Sequence, residues 1–285
     1  MILAGIVLYN PDLSRLEENI RSIYNQVDKI IFIDNSTIKQ NETILCIEKI
    51  VAKNKTIFIN NNGNAGIAKA LNQIMEYALT HGFEWALTLD QDTVCPYNLI
   101  ESYFPFLEKD DVGIICPKIE DRNFAFINDD TGTIEYVDSC ITSASLTSTK
   151  IWKNVGGFTN ELFIDYVDFD YCLKLKQHHY KILRVNTVSI LHEIGHAKTY
   201  NILGKKILLF NHPPIRNYYI VRNKLLCAYR YKKILNFRRE KKEIVTFVIR
   251  VLIFENKKKE NIVSIIRGII DGRQMIAKFV EQEKC

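Results

Sequence analysis

Four short apolar runs, Ile2–Leu8, Lys29–Ile33, Thr56–Ile59 and Trp85–Leu89, constrain this chain more than any other feature. Runs this short with little polar alternation are the pattern of strands covered on both faces. Between them, apolar residues recur at helical spacing: Leu13, Leu16, Ile20, Ile23 and Val27, then Ile44, Ile47, Ile50 and Val51, then Ile67, Ala70, Leu71, Ile74, Ala78 and Leu79. Strands alternating with amphipathic helices close into a mostly parallel sheet with right-handed crossovers. The expected class is therefore α/β, a Rossmann-like sheet flanked by helices.

Each run ends in polar residues, and ligands of open α/β sheets sit at the carboxyl ends of the strands. The first ends in Tyr9-Asn10-Pro11-Asp12, the second in Asp34-Asn35-Ser36 and the third in Asn60 to Gly66. The fourth ends in Asp90-Gln91-Asp92, before a turn and Pro96, which reads as the opening of a helix. Two carboxylates so close raise each other's pKa unless a cation lies between them. Mg2+ and Mn2+ take hard oxygen donors, commonly one or two carboxylates plus substrate phosphates. Asp90 and Asp92 thus read as a metal-diphosphate site, against the plainer alternative of a polar turn. A carboxylate such as Asp34 suits a base imide or a ribose hydroxyl, and the Tyr9 ring suits stacking on a base. The Asn/Gly segment runs into a helix whose free N–H groups favour a phosphate, although Asn and Gly also form turns unaided.

Beyond Leu107 the regularity fades. Val112–Cys116 reads as a strand, Asp121 to Tyr136 as irregular with hairpin character near Gly132, and Ser139–Thr147 as a strand lining a cavity. An acceptor pocket is expected in this section. A second acidic focus follows, with Asp165, Asp168 and Asp170 leading into a helix that contains Tyr171, Leu173 and Leu175. Carboxylates there either cap the helix or, ionised at neutral pH, accept a proton from an attacking hydroxyl.

Composition excludes several classes. A 47% hydrophobic chain of 285 residues buries a substantial core. Met1 leads straight into a strand with no basic n-region, so no signal peptide is expected. Ile244–Phe254, broken by Arg250, is too short to span a bilayer. The seven cysteines are scattered without a C-x-x-C pair, which argues against zinc and for reduced thiols in a cytoplasmic protein. Charge is uneven: residues 216–285 hold 18 Lys and Arg against 7 Asp and Glu, net +11, while the rest hold 20 against 26, net −6, for +5 in all. Helical patterns at 215–231, 244–254 and 262–280 make that basic part a helical appendage. It suits an anionic membrane surface, a solvated face or self-association. No reader motif accompanies the charge, so nucleic acid is not an expected partner.

The ordered set Leu8-Tyr9-Asn10-Pro11, Asp34-Asn35-Ser36, Asn62-Gly63-Asn64-Ala65-Gly66, Asp90-Gln91-Asp92 and Gly157-Phe158 through Phe163-Ile164-Asp165-Tyr166-Val167-Asp168 resembles family 2 glycosyltransferases of the GT-A fold. Within them it is similar to bacterial rhamnosyltransferases of surface polysaccharides, as is His212-Pro213-Pro214-Ile215-Arg216-Asn217-Tyr218-Tyr219 with Arg222-Asn223. The resemblance covers roughly residues 2–225 and implies a catalytic domain at 1–214 with a basic helical region at 215–285. It implies inverting transfer from a nucleoside-diphosphate sugar, dTDP-L-rhamnose in the first place, to a saccharide or lipid-linked acceptor. Tyr9 and Asp34 fall at the base, Asn10 among the nucleotide-sugar-binding residues, Asn64 and Gly66 near the nucleotide, and Asp90 at ribose or sugar. Asp92 falls at the Mg2+ or Mn2+, with Asp90 and His192 beside it, and Asp168 at the general base. Many members carry Glu-Asp where this chain has Val167-Asp168, which leaves Asp165 as the second candidate for the base. Other readings stay open: another donor such as UDP-galactofuranose or a UDP-hexose, or a non-catalytic sugar-nucleotide-binding module. A nucleotidyltransferase needs a Gly-rich first loop, which Leu8-Tyr9-Asn10-Pro11 does not supply.

Overall fold

The computed structural model describes residues 1–38, 40–121, 132–192, 198–202, 205–209 and 212–284. By contacts the chain divides into a first unit, Met1–Phe163 with Val167–Glu193, and a second, Ile164–Tyr166 with Ile194–Cys285.

In the first unit the strand and helix runs alternate as expected: β1 (Ile2–Leu8), α1 (Leu13–Ile23), β2 (Lys29–Asp34), α2 (Gln40–Glu48), β3 (Thr56–Asn60), α3 (Ile67–Thr80) and β4 (Trp85–Asp90). After them come α4 (Leu99–Tyr103), β5 (Val112–Asp121), β6 (Ile134–Val137), β7 (Ser145–Ser148), α5 (Thr149–Asn154), α6 (Val167–Gln177) and β8 (Lys181–His192). The eight strands form one sheet in the order β3-β2-β1-β4-β7-β5-β8-β6. β3, β2, β1 and β4 run parallel. β7 is antiparallel to both its neighbours, β8 lies parallel to β5, and β6 closes the far edge antiparallel.

Burial accounts for the first half. Every residue of β1 is buried, as is β4 up to Asp90, which is what strands covered on both faces require. α1 starts where Asp12 accepts hydrogen bonds from the Ser14 and Arg15 amides, at 2.9 and 3.2 Å. The Ser14 hydroxyl and these amides hold the Asp12 carboxyl below its ordinary value. Leu16, Ile20 and Ile23 are fully buried against the sheet. At about 2 kcal/mol each, they outweigh the roughly 0.5 kcal/mol that Asn19 costs in a helix interior.

Two expectations shift. The strand expected over Ser139–Thr147 shortens to β7, because Ala144 has left-handed backbone (φ 57°) and the Ser145 amide turns back to the Thr142 carbonyl at 3.2 Å. The helix expected to open at Pro96 begins at Leu99, since the Pro96 carbonyl first closes a turn onto the Leu99 amide.

The second unit holds the hairpin β9 (Lys198–Ile202) and β10 (Lys205–Leu209), then α7 (Pro214–Arg230), α8 (Phe237–Phe254) and α9 (Lys258–Lys284). The three helices share a small core of Val221, Ile244, Val251 and Ile265, with Leu225, Phe247, Val248 and Ile269 packed on it. Gly268 permits the close approach of α9 to α7, because a Cβ there would lie 2.6 Å from the Tyr218 carbonyl oxygen. Among the described residues no helix is long and apolar enough to cross a membrane.

Candidate active site

Register brings the strand ends into a row. Asp34 pairs with Leu8 on one side and Asn60 on the other, and Asp90 pairs with Val7. Side chains then stitch the row together. Gln91 accepts the Tyr9 amide at 2.8 Å, and the Ser36 hydroxyl accepts the Asn10 amide at 2.8 Å. Asn10 in turn accepts the Thr37 and Ile38 amides at 3.0 and 3.1 Å, and its φ of 45° is one that Asn tolerates. Asn61 donates to Asn35 at 2.8 Å. Asn10 therefore shapes the rim of the row through its side chain, while the Tyr9 ring is left about half exposed above it.

Asp34 is the completely buried carboxylate of this edge, and its Oδ1 accepts the Ser36 amide at 2.8 Å. Its Oδ2 has no hydrogen-bond partner among the described residues. A carboxylate oxygen desolvated without a donor is costly, and a ligand N–H or O–H relieves that cost. A polar recess of about 610 Å3, lined by Ser36, Thr37, Gln40, Glu42, Asn62 and Gly63, opens in the same loops.

Asp90 and Asp92 are both partly exposed where β4 ends in a tight turn, the Thr93 amide bonding the Asp90 carbonyl at 3.3 Å. The chemistry of this pair fits a hard cation that completes its oxygen shell with water and a diphosphate. Among the described residues no group of three or more His, Cys, Asp and Glu side chains is placed to hold a metal by itself. His192 is the last residue of β8, and its side chain lies outside the described residues.

The amino end of α3 differs from expectation. The Ile67 and Ala68 amides bond the Phe163 carbonyl oxygen at 2.6 and 3.4 Å, so these two donors are not free for a phosphate. Gly66 is buried with φ 87°, and a Cβ on it would lie 2.6 Å from the Phe163 ring. Its glycine character is thus explained by Phe163. Asn64 is exposed and turns its own side chain onto the Gly66 amide at 3.0 Å.

The three aspartates of the second acidic focus have different surroundings. Asp170 is completely buried, accepts the Thr159 hydroxyl at 2.6 Å and lies 3.7 Å from the Lys174 ammonium, a helix-anchoring role. Asp168, in the first turn of α6, is partly exposed and accepts the Phe169 amide at 2.8 Å. One loop touches both this helix and the end of β4. Cys140 accepts from the Cys172 thiol, one turn beyond Asp168, while Thr142 accepts the Thr88 hydroxyl at 2.6 Å and Ser143 accepts the Asp90 amide at 3.2 Å. A hydrogen bond with Cys116 leads the causes that lift the Cys140 thiol, and one with Cys140 leads those that lift Cys172, both well above the usual range. Neither is a thiolate at neutral pH, so these sulfurs pack rather than attack.

Asp165 belongs to the second unit. Its side chain is 11% exposed and paired with Arg216. Asn223, fully buried on α7, donates to the Ile164 and Asp165 carbonyls at 2.8 Å each. Asp165 and Tyr166 both have left-handed backbone, φ 62° and 65°, a conformation that costs energy and persists only when surrounding contacts impose it.

Asn35, Asn61 and Asn223 fall within motifs already named, whereas Asn72 carries no sequence signal beyond its place among apolar positions. All four bind backbone or one another. Asn72 does this from α3, donating to the Phe158 carbonyl at 2.8 Å and accepting the Phe158 amide at 2.9 Å.

The first unit is thus a mixed α/β sheet with acidic residues at the carboxyl ends of its parallel strands and a second acidic focus at the start of α6. The family model described as glycosyl transferase family 2 matches residues 4–172. This chain belongs to that family. It is 30% identical over 241 residues to a dTDP-rhamnosyl transferase, RfbF, of Shigella flexneri, covering 79% of each chain. Among solved structures it matches S. aureus TarS residues 1–349 with a TM-score of 0.58 at 14% identity, covering 99% of this chain and 83% of that one. The mannosyltransferase PcManGT of Pyrobaculum calidifontis, solved with GDP-Man and Mn2+, matches with a TM-score of 0.57 at 11% identity over 100% and 80% of the two chains. GalNAc-T7, solved with UDP, GalNAc and Mn2+, gives 0.61 at 15% identity, but this chain spans only 47% of its length. At such identities these structures speak for the shared GT-A-type fold alone.

Proposed function

We propose that the chain transfers L-rhamnose from dTDP-L-rhamnose to a hydroxyl of a growing saccharide, with inversion at the sugar carbon. The sugar and nucleotide come from the similarity to the Shigella flexneri transferase over most of both chains. The observation that carries the reading is the buried, unpartnered Oδ2 of Asp34 in the row of strand ends, a site made for a donor N–H such as the imide of a pyrimidine base. The exposed Tyr9 ring stacks on that base, with the Asn10 and Asn64 to Gly66 loops around the nucleotide. Asp90 and Asp92, with His192 as a further candidate, would hold Mg2+ or Mn2+, which when bound neutralises the departing diphosphate.

Asp168 is the base. It is the partly exposed carboxylate of its focus, whereas Asp170 is buried on Thr159 and Asp165 is engaged by Arg216. It takes the proton of the acceptor hydroxyl as that oxygen bonds to the sugar carbon, and the bond from that carbon to the diphosphate oxygen breaks. Incubation with dTDP-, UDP- and GDP-sugars tests the donor. Release of dTDP with a new rhamnoside supports the assignment; turnover of a UDP-hexose or UDP-galactofuranose alone replaces it, and no transfer with intact binding points to a binding module.

A second reading concerns where the acceptor sits. α8 exposes Val245, Ile249 and Ile253, and α9 exposes Ile262, Val263, Ile266 and Ile270. The exposed charges interleaved with them are Arg250 and Arg267, and no acidic residue falls within 244–254 or 261–270. An apolar stripe with cationic neighbours fits an anionic bilayer surface, so we place the enzyme at the inner face of the cell membrane with a lipid-linked acceptor. Two like-charged copies are a poorer match for the same surface.

A further inference from the structure

α1 carries a polar ladder along the edge of its apolar face. Asn19 and Ser22, with Gln26 in the turn that follows, grip the backbone from Asp90 to Ile100 at five points. Asn19 Nδ2 donates to the Asp90 carbonyl at 2.9 Å and the Thr93 carbonyl at 2.6 Å. Ser22 accepts the Cys95 amide at 3.0 Å, and Gln26 donates to the Pro96 carbonyl and accepts the Ile100 amide at 2.8 and 3.2 Å. From the other side Ser143 accepts the Asp90 amide at 3.2 Å and lies 2.5 Å from the Thr93 hydroxyl.

Asn19 is the most demanding member. It is fully buried, and its Oδ1 has no partner among the described residues. Both groups on Nδ2 are carbonyl oxygens, so only an amide nitrogen serves there, and the orientation of the side chain follows from its acceptors. One nitrogen bridges the first and last carbonyls of the turn Asp90-Gln91-Asp92-Thr93. It therefore ties together the two ends of the turn from whose backbone the Asp90 and Asp92 side chains project.

We infer that Asn19 is a positioning residue, which acts through the backbone of this turn to hold the two carboxylates at the spacing a divalent cation and a diphosphate require. The inference rests on the reading of Asp90 and Asp92 given above. Partners that orient metal-binding carboxylates without touching the metal are worth about 10- to 100-fold in metal affinity.

The test is a Mn2+ titration of the full chain with dTDP present, read by the electron paramagnetic resonance signal of free Mn2+, alongside dTDP binding without metal. Asn19→Ala is expected to weaken Mn2+ binding about tenfold or more, with metal-free dTDP affinity and circular dichroism unchanged. Unchanged Mn2+ affinity in Asn19→Ala, beside a loss in Asp92→Ala, overturns the inference and leaves the site reading intact. Absent Mn2+ binding in the natural chain, or unaltered binding in Asp92→Ala, removes the site reading and the inference with it. Should Asn19→Ala fail to fold, Ser143→Ala decides, because it frees the same turn from its other side: a comparable loss supports the inference and natural affinity refutes it.

Discussion

Arg216 closes on the carboxylate of Asp165 with two nitrogens, Nη2 at 2.5 Å from Oδ1 and Nε at 3.3 Å from Oδ2. Both carboxylate oxygens are thus occupied by one guanidinium, the fork geometry of a charge-assisted pair. The neighbouring Asp168 is partly exposed in the first turn of α6, where it accepts the Phe169 amide. Asp168→Asn is expected to lower turnover by about 10²- to 10⁴-fold while nucleotide-sugar affinity stays within roughly twofold. Asp165→Asn should retain turnover and lose about 1–2 kcal/mol of stability, a discounted value because Arg216 is 40% exposed. Steady-state rates with calorimetric binding distinguish them, and the reverse pattern would make Asp165 the base.

Asp34→Asn tests the orphaned oxygen. The amide retains an acceptor for Ser36 but turns an N–H towards the place where Oδ2 now waits for a donor. dTDP affinity should fall about tenfold or more, since hydrogen bonds to charged groups are worth about 1.5–3 kcal/mol, while melting temperature holds or rises. Unaltered dTDP affinity by titration calorimetry would detach Asp34 from the nucleotide.

Glu255 gives the helical unit a pH signature. It is buried, accepts Asn217 Nδ2 at 3.0 Å, and burial raises its pKa above the ordinary value. The folded state then holds a proton that the unfolded state has released, so stability is greatest below the unfolded pKa and declines as pH rises through the folded one. Thermal melts from pH 4 upward, starting near the ordinary glutamate value of 4.5, should show this decline for the natural chain and a flatter profile for Glu255→Gln, which keeps an oxygen for Asn217. An unchanged slope in the variant would place the titration elsewhere.

Vesicles test the stripes on α8 and α9. Flotation with anionic liposomes should be strong at low salt, weaker at high salt and absent with neutral lipid. The pair Ile249→Ser and Ile266→Ser should reduce it at least severalfold without altering melting temperature, because both side chains are about half exposed. Indifference to lipid charge would leave the stripes to another partner.

Much of the first unit was legible because its signals are local. The runs from Ile2 to Leu89 announce β1 to β4, and the polar residues closing each run sit in one row once the register is fixed. What escaped depends on distance along the chain. Asn19 and Asn72 are single polar residues within helical apolar patterns and draw no reading from the sequence, yet each binds backbone some seventy to ninety residues away. Gly66 reads as a nucleotide glycine, and only the Phe163 ring and carbonyl reveal its packing reason. The paired roles of Asp165 and Asp170 were equally hidden, since capping, ion pairing and catalysis use the same side chain and differ in what folds against it.

β7 enters the sheet against the direction of both β4 and β5. Because it runs backwards, the segment that precedes it emerges where its antiparallel neighbour β4 finishes. Residues 140–143 are thereby delivered to the Asp90 corner by a strand outside the β3-β2-β1-β4 half. A substitution at Ser143 would thus reach the turn that carries Asp90 and Asp92 from a strand of the opposite direction, leaving the β3-β2-β1-β4 strands themselves untouched.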